Sequence, residues 1–71
     1  MNARYSVQYG LGRNLQHEDF FDSLDVAVSK AEDLLHAPFC YLFSFVYDTR
    51  ARGKAQLVWD YRNGYNPRYT G

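Results

Sequence analysis

Cys40, His36 and His17 are the residues with which this chain could attempt covalent chemistry, because a thiol beside an imidazole is the smallest pairing of nucleophile and base. Their context points elsewhere. Cys40 falls in an alternating stretch that reads as a strand, where it packs like a small apolar residue, and neither an oxyanion-type glycine loop nor a strand-to-helix nucleophile turn accompanies it. His36 lies in the last turn of a helical pattern, where an imidazole meets the negative end of the dipole. No catalytic residue is expected, and the chain reads as a non-enzyme. Glu18, Asp19, Asp22 and Asp25 gather acids without the spacing or the turn glycine of a calcium loop. His36 with Cys40 supplies two zinc ligands where a structural site takes four. Neither a metal nor a cofactor is expected.

What remains is surface charge and aromatic rings. A formal net charge of zero argues against a strongly basic nucleic-acid binder and against an acidic mimic of DNA. That zero hides an asymmetry. Glu18, Asp19, Asp22, Asp25, Glu32 and Asp33 share one stretch with Lys30 as its only base, about −5 by simple count. From Asp48 onward Arg50, Arg52, Lys54, Arg62 and Arg68 face only Asp48 and Asp60, about +3. The molecule should be dipolar.

These groups need a scaffold, and 71 residues fit one domain near the lower limit for a single core. Chains this short usually lean on a disulfide, a metal, a partner subunit or unusually large core side chains. Cys40 has no second cysteine to pair with, whereas seven Tyr, five Phe and one Trp supply bulk, so aromatics are the expected support. Nothing near Met1 joins a basic start to an apolar run, so neither secretion nor a membrane partner is expected, and a reducing cytoplasm is the expected compartment.

Leu24, Ala27, Val28, Ala31, Leu34 and Leu35 recur at helical spacing and predict a helix over about 23–36, opened by Asp22 or Ser23 and stopped by Pro38. Residues 39–48 alternate, with Phe39, Tyr41, Phe43, Phe45 and Tyr47 on one side, and predict a central strand. Residues 55–62 alternate as well and predict its hairpin partner. A three-residue loop, Ala51-Arg52-Gly53, with Gly53 left-handed, sets Tyr47 opposite Leu57, Phe45 opposite Trp59 and Phe43 opposite Tyr61. Tyr5, Val7 and Tyr9 mark a further strand, broken at Gly10 and Gly12. Residues 15–21 leave two readings open, a fourth strand or a loop into the helix cap, because Leu15 and Phe21 would share a face with His17 and Asp19.

The architecture expected is α+β in the order β(β)αββ: a three- or four-stranded, mainly antiparallel sheet whose aromatic face is covered by the helix. Residues 1–62 make that domain and the turn-rich 63–71 a flexible C-terminal tail. Nine rings on one face exceed what a helix about 10 Å wide can cover, so some are expected to meet solvent or a partner.

Phe43-Ser44-Phe45-Val46-Tyr47 resembles the aromatic strand with which RNA-recognition-motif domains stack bases. The resemblance covers five residues. Tyr41-Leu42 stands where that family carries a basic residue and a glycine, and the second helix and following strand are missing. It implies single-stranded nucleic-acid binding by the basic hairpin and tail, an alternative to the leading expectation. That expectation is a small binding protein which occupies a surface of another protein, with Arg50, Arg52, Lys54, Arg62, Tyr65, Arg68 and Tyr69 as its contact residues. A homodimer through the sheet is compatible with it, and a purely structural homo-oligomer is a third reading. Chains of this size and equipment are typical of accessory proteins from phages and mobile elements, including inhibitors of host complexes such as anti-CRISPR proteins.

Overall fold

A computed structural model describes residues 3–12 and 15–70, apart from the side chains of Leu15 and Arg52. Strands β1 (Tyr5–Gly12) and β2 (Leu15–Phe21) lead into helix α1 (Leu24–Asp33). Strand β3 (Phe43–Asp48), a 3-10 turn at Ala51–Gly53, β4 (Gln56–Asp60) and the short β5 (Gly64–Tyr65) follow. The five strands form one antiparallel sheet in the order β2-β1-β3-β4-β5, so β3 occupies the middle. The fold is α+β as expected, but with five strands rather than three or four. Residues 15–21 are a strand, and the segment beyond residue 62 contributes another.

Helix α1 starts where the cap residues predict. Ser23 is extended and its Oγ accepts from the Val26 amide at 3.5 Å, while Asp25 suits the positive end of the dipole. The regular helix stops at Asp33, short of the predicted residue 36, because Leu35 and His36 bond three residues back, to Glu32 and Asp33, and tighten the last turn. The chain does not re-enter the sheet at once. Phe39 and Cys40 both donate to the His36 carbonyl, and Cys40 has φ 52°, a left-handed value that no strand allows. The predicted strand 39–48 therefore begins only at Phe43, and Cys40 is exposed in a turn rather than packed in a sheet.

Which face the helix covers also differs from expectation. Val7 pairs with Val46, and Val46 pairs with Trp59. Directly opposed residues share a face, so these form one row, and Ala27, Val28, Ala31 and Leu34 pack on it. Ser44, Val46 and Asp48 of β3 are fully buried, whereas Phe43, Phe45 and Tyr47 are half-buried on the opposite face. The reason is approach distance. Ser44 Oγ donates to the Ala31 carbonyl at 2.9 Å, a contact possible only where small side chains let the helix backbone come close to the sheet. Full burial of each valine contributes roughly 1.5–3 kcal/mol, so this row is a main source of stability.

The β3–β4 hairpin follows its predicted loop up to a point. Gly53 has φ 81°, and Tyr47 lies opposite Leu57. Between Val46 and Tyr47 the register shifts, so Trp59 faces Val46 rather than Phe45, and Asp60 takes the place opposite Phe45. This β-bulge sets Val58 and Trp59 against one partner residue, and both are buried in the core.

If α1 covers the Val46 side, Val46→Lys should abolish the cooperative thermal transition followed by far-UV circular dichroism. Phe45→Lys should keep a cooperative transition, the lost ring contacts with Phe43 and Tyr61 at 5.7 Å costing the fold of one copy about 1 kcal/mol.

Candidate functional site

Asp48 ends the buried row on β3, and its carboxylate ties two distant parts of the chain to its own turn. Oδ1 accepts from Arg4 Nε at 2.7 Å and from the Arg50 amide at 3.0 Å. Oδ2 accepts from Arg4 Nη2 at 2.8 Å and from the Tyr69 hydroxyl at 2.6 Å. A bidentate guanidinium, a phenol and an amide thus surround a fully buried acid. Burial pushes the Asp48 carboxyl up, but the bonds from Arg4, Tyr69 and Arg50 outweigh it and hold the group below the usual carboxylate range. Burial and then Asp48 itself push the Tyr69 hydroxyl above the usual phenol range. Among the described residues no buried side-chain polar atom lacks a partner.

This clasp determines where the expected contact residues stand. Residues 63–71 are expected to be a tail, but 64–69 run along β4: the Asn66 amide donates to the Val58 carbonyl and its side chain to the Leu57 carbonyl, before Tyr69 reaches Asp48. Arg68 is therefore carried to the same end of the sheet as Arg50 and Lys54, and all three are exposed. Arg62 is not brought there. It lies in the turn after β4, at the opposite end of that strand, with its guanidinium 5.4 Å from the centroid of Tyr61. Tyr65 is 58% exposed on the edge strand β5. Tyr69 is half-buried and its hydroxyl is engaged by Asp48, so it anchors the segment. The side chain of Arg52 lies outside the described residues.

The face opposite α1 carries Phe43, Phe45 and Tyr47, rings expected beneath the helix. Three rows cross it: Phe20, Ser6, Tyr47 and Leu57; then Glu18, Gln8, Phe45 and Asp60; then Gln16, Gly10 and Phe43. Phe43, Phe45 and Tyr61 make a ring cluster, and Phe20 is 55% exposed. The charged members of these rows are acids. Asp60 accepts from the Asn63 and Arg62 amides at 2.7 and 2.8 Å, which holds its carboxyl below the usual range and hence ionised at neutral pH. The signal available in the sequence was the second apolar set on residues 40–46, whose small side chains suit a close helix better than rings do.

Cys40, His36 and His17 lie away from the Asp48 clasp, the Cys40 amide bonded to the His36 carbonyl. Cys40 is exposed in its turn, while His17 of β2 stacks on Tyr9 with centroids 5.2 Å apart, Tyr41 meeting both edge-on. The Tyr9 hydroxyl donates to Asp19 at 2.9 Å, and burial, with that bond, pushes it up to about 12. Among the described residues no three His, Cys, Asp or Glu side chains converge as metal ligands. No helix among them is long and apolar enough to cross a membrane. Comparison with protein-family models, curated proteins and solved structures finds no match.

Tyr69→Phe should cost about 1–2 kcal/mol in urea denaturation, since it removes a bond to a buried charged group. The pH dependence has a defined sign. Folded Asp48 gives up its proton more readily than the unfolded chain, so its contribution is complete above about pH 4 and is lost as pH falls through its lowered value. Folded Tyr9 and Tyr69 hold their protons more tightly, so theirs is complete below about pH 10 and declines as pH rises, through about 12 for Tyr9. Unfolding free energies measured across pH should show both limbs, and Asp48→Asn should shrink the acidic one.

Proposed function

We propose that this chain is a small non-enzymatic binding protein that occupies an acidic surface of another protein in a stoichiometric complex. Its contact edge is built from Arg50, Lys54 and Arg68, with the exposed Tyr65 farther along the same side of the sheet, opposite Trp59. The observation that carries this reading is the Asp48 clasp, which folds residues 66–69 back along β4 and gathers at one end bases that are up to 18 positions apart in sequence. Arg and Tyr are residue types enriched where interfaces concentrate their binding energy. An inhibitor of a host complex, of the kind carried by phages and mobile elements, is the finer form of the proposal, and it rests on chain size and equipment.

The charge distribution favours a protein over single-stranded nucleic acid. A strand-binding module places stacking rings beside cations that follow the phosphates. Here Phe43, Phe45 and Tyr47 share their face with Glu18 and Asp60, and the paired rows of that face hold no Lys or Arg. Among the described residues Arg62 is the expected contact base that lies beside these rings, 5.4 Å from the Tyr61 centroid, while Arg50, Lys54 and Arg68 stand at the hairpin end.

The test is affinity capture from host lysate with the wild type and with Lys54→Glu/Arg68→Glu. A protein recovered in stoichiometric amount by the wild type should be lost by the double variant, with unfolding free energy unchanged within about 0.5 kcal/mol. Recovery of nucleic acid instead, with retention falling steeply as salt rises, would transfer the edge to the nucleic-acid reading.

A further inference from the structure

We propose that the uncovered aromatic face is occupied by a second copy of this chain, related by a two-fold axis that runs parallel to β3. The face is large enough. Five strands about 4.8 Å apart give a width of about 24 Å, within a molecule measuring 34 × 28 × 22 Å. A corrugated surface of that extent is on the order of the ~800 Å² that each partner contributes to a stable complex. Its apolar content lies in the right place: Phe43, Phe45 and Tyr47 form a stripe along the middle strand of five. A stripe on the middle strand lies on the axis of any face-to-face pairing in which β3 stacks on β3, so each copy's rings meet the same rings. A formal charge of zero means that two copies do not repel at long range.

The charge distribution selects the axis. The acids of β2 and the turn that carries Arg62 lie on opposite sides of β3 in the strand order. A two-fold parallel to the strands lays β2 of one copy over β5 of the other. Glu18 then approaches the turn that bears Arg62, and Gln8, one strand inward, faces Asp60 with an amide able to donate to it. A two-fold perpendicular to the strands would lay β2 on β2 and set Glu18 against Glu18 and Asp60 against Asp60. Like charges facing across an interface are the costly arrangement, so the parallel axis is favoured. The hairpin tip with Lys54 stays outside the contact, and the dimer does not depend on what the basic edge binds.

Sedimentation equilibrium on the full chain at micromolar concentrations tests this. The wild type should weigh twice its 8.3 kDa. Phe45→Lys should raise the dissociation constant roughly thirtyfold or more. Phe20→Lys, at a side chain already more than half exposed and hence safe for the fold, should also raise it. Glu18→Gln decides the axis: weaker association fits the parallel one, and tighter association, from relief of Glu18–Glu18 repulsion, overturns it. A wild type that stays at 8.3 kDa, or a dimer indifferent to both Phe45→Lys and Phe20→Lys, overturns the proposal as a whole.

Discussion

One helix can cover one face of this sheet, and everything else follows from which face it takes. Helix α1 has ten residues and a width of about 10 Å, against a sheet about 24 Å across. It settles on Val7, Val46, Val58 and Trp59, where Ala27 and Ala31 allow the backbone to come near enough for Ser44 to bond the Ala31 carbonyl. Rings at Phe43 and Phe45 would hold the helix away from the sheet and leave gaps that Ala27 and Ala31 are too small to fill. Small residues on both sides therefore form the dry layer, and the large rings take the surface left over.

Local chemistry could be read from the residues where it is local. Ser23 caps the helix, Gly53 turns left-handed in a three-residue loop, and Tyr47 meets Leu57 because that loop sets the register at its own end. What fails is what depends on distance. The bulge at Val58 and Trp59 breaks the alternation four residues beyond the loop, and its cue was two adjacent apolar residues where alternation allows one. Strand β2 has weak periodicity because its His17 and Asp19 lie on the helix side yet are tied to Tyr9, one by stacking and the other by hydrogen bond. The helix is expected on the ring-bearing face, yet both faces of residues 40–47 are apolar enough that burial alone does not rank them. Shape ranks them.

The Asp48 clasp was invisible for a related reason. Its partners lie 44 and 21 positions away in sequence, and no spacing rule connects an acid at a strand end to an arginine near one terminus and a tyrosine near the other. In energetic terms the acid is the opposite of a surface ion pair. Removed from water, it tolerates its charge only because four donors converge on two oxygens. The result is specific rather than merely stabilising: it dictates that residues 66–69 lie along β4 and so places Arg68 near the hairpin, giving the basic edge a shape that composition alone does not supply.

The two edges of the sheet explain why association should use a face. An open edge strand offers unpaired amides and carbonyls to any passing strand, and charge is the common protection. β2 carries Glu18 and Asp19 on such an edge, and two copies approaching edge to edge would bring those acids together. The other edge, β5, is two residues long, too short to template a partner strand. Strand addition is thus disfavoured at both ends, while the rings between them retain their hydrophobic drive to leave water. A core cluster of eight buried side chains among the described residues leaves little stability to spare, and burying Phe43, Phe45 and Tyr47 in a partner would enlarge the apolar area removed from water without lengthening the chain.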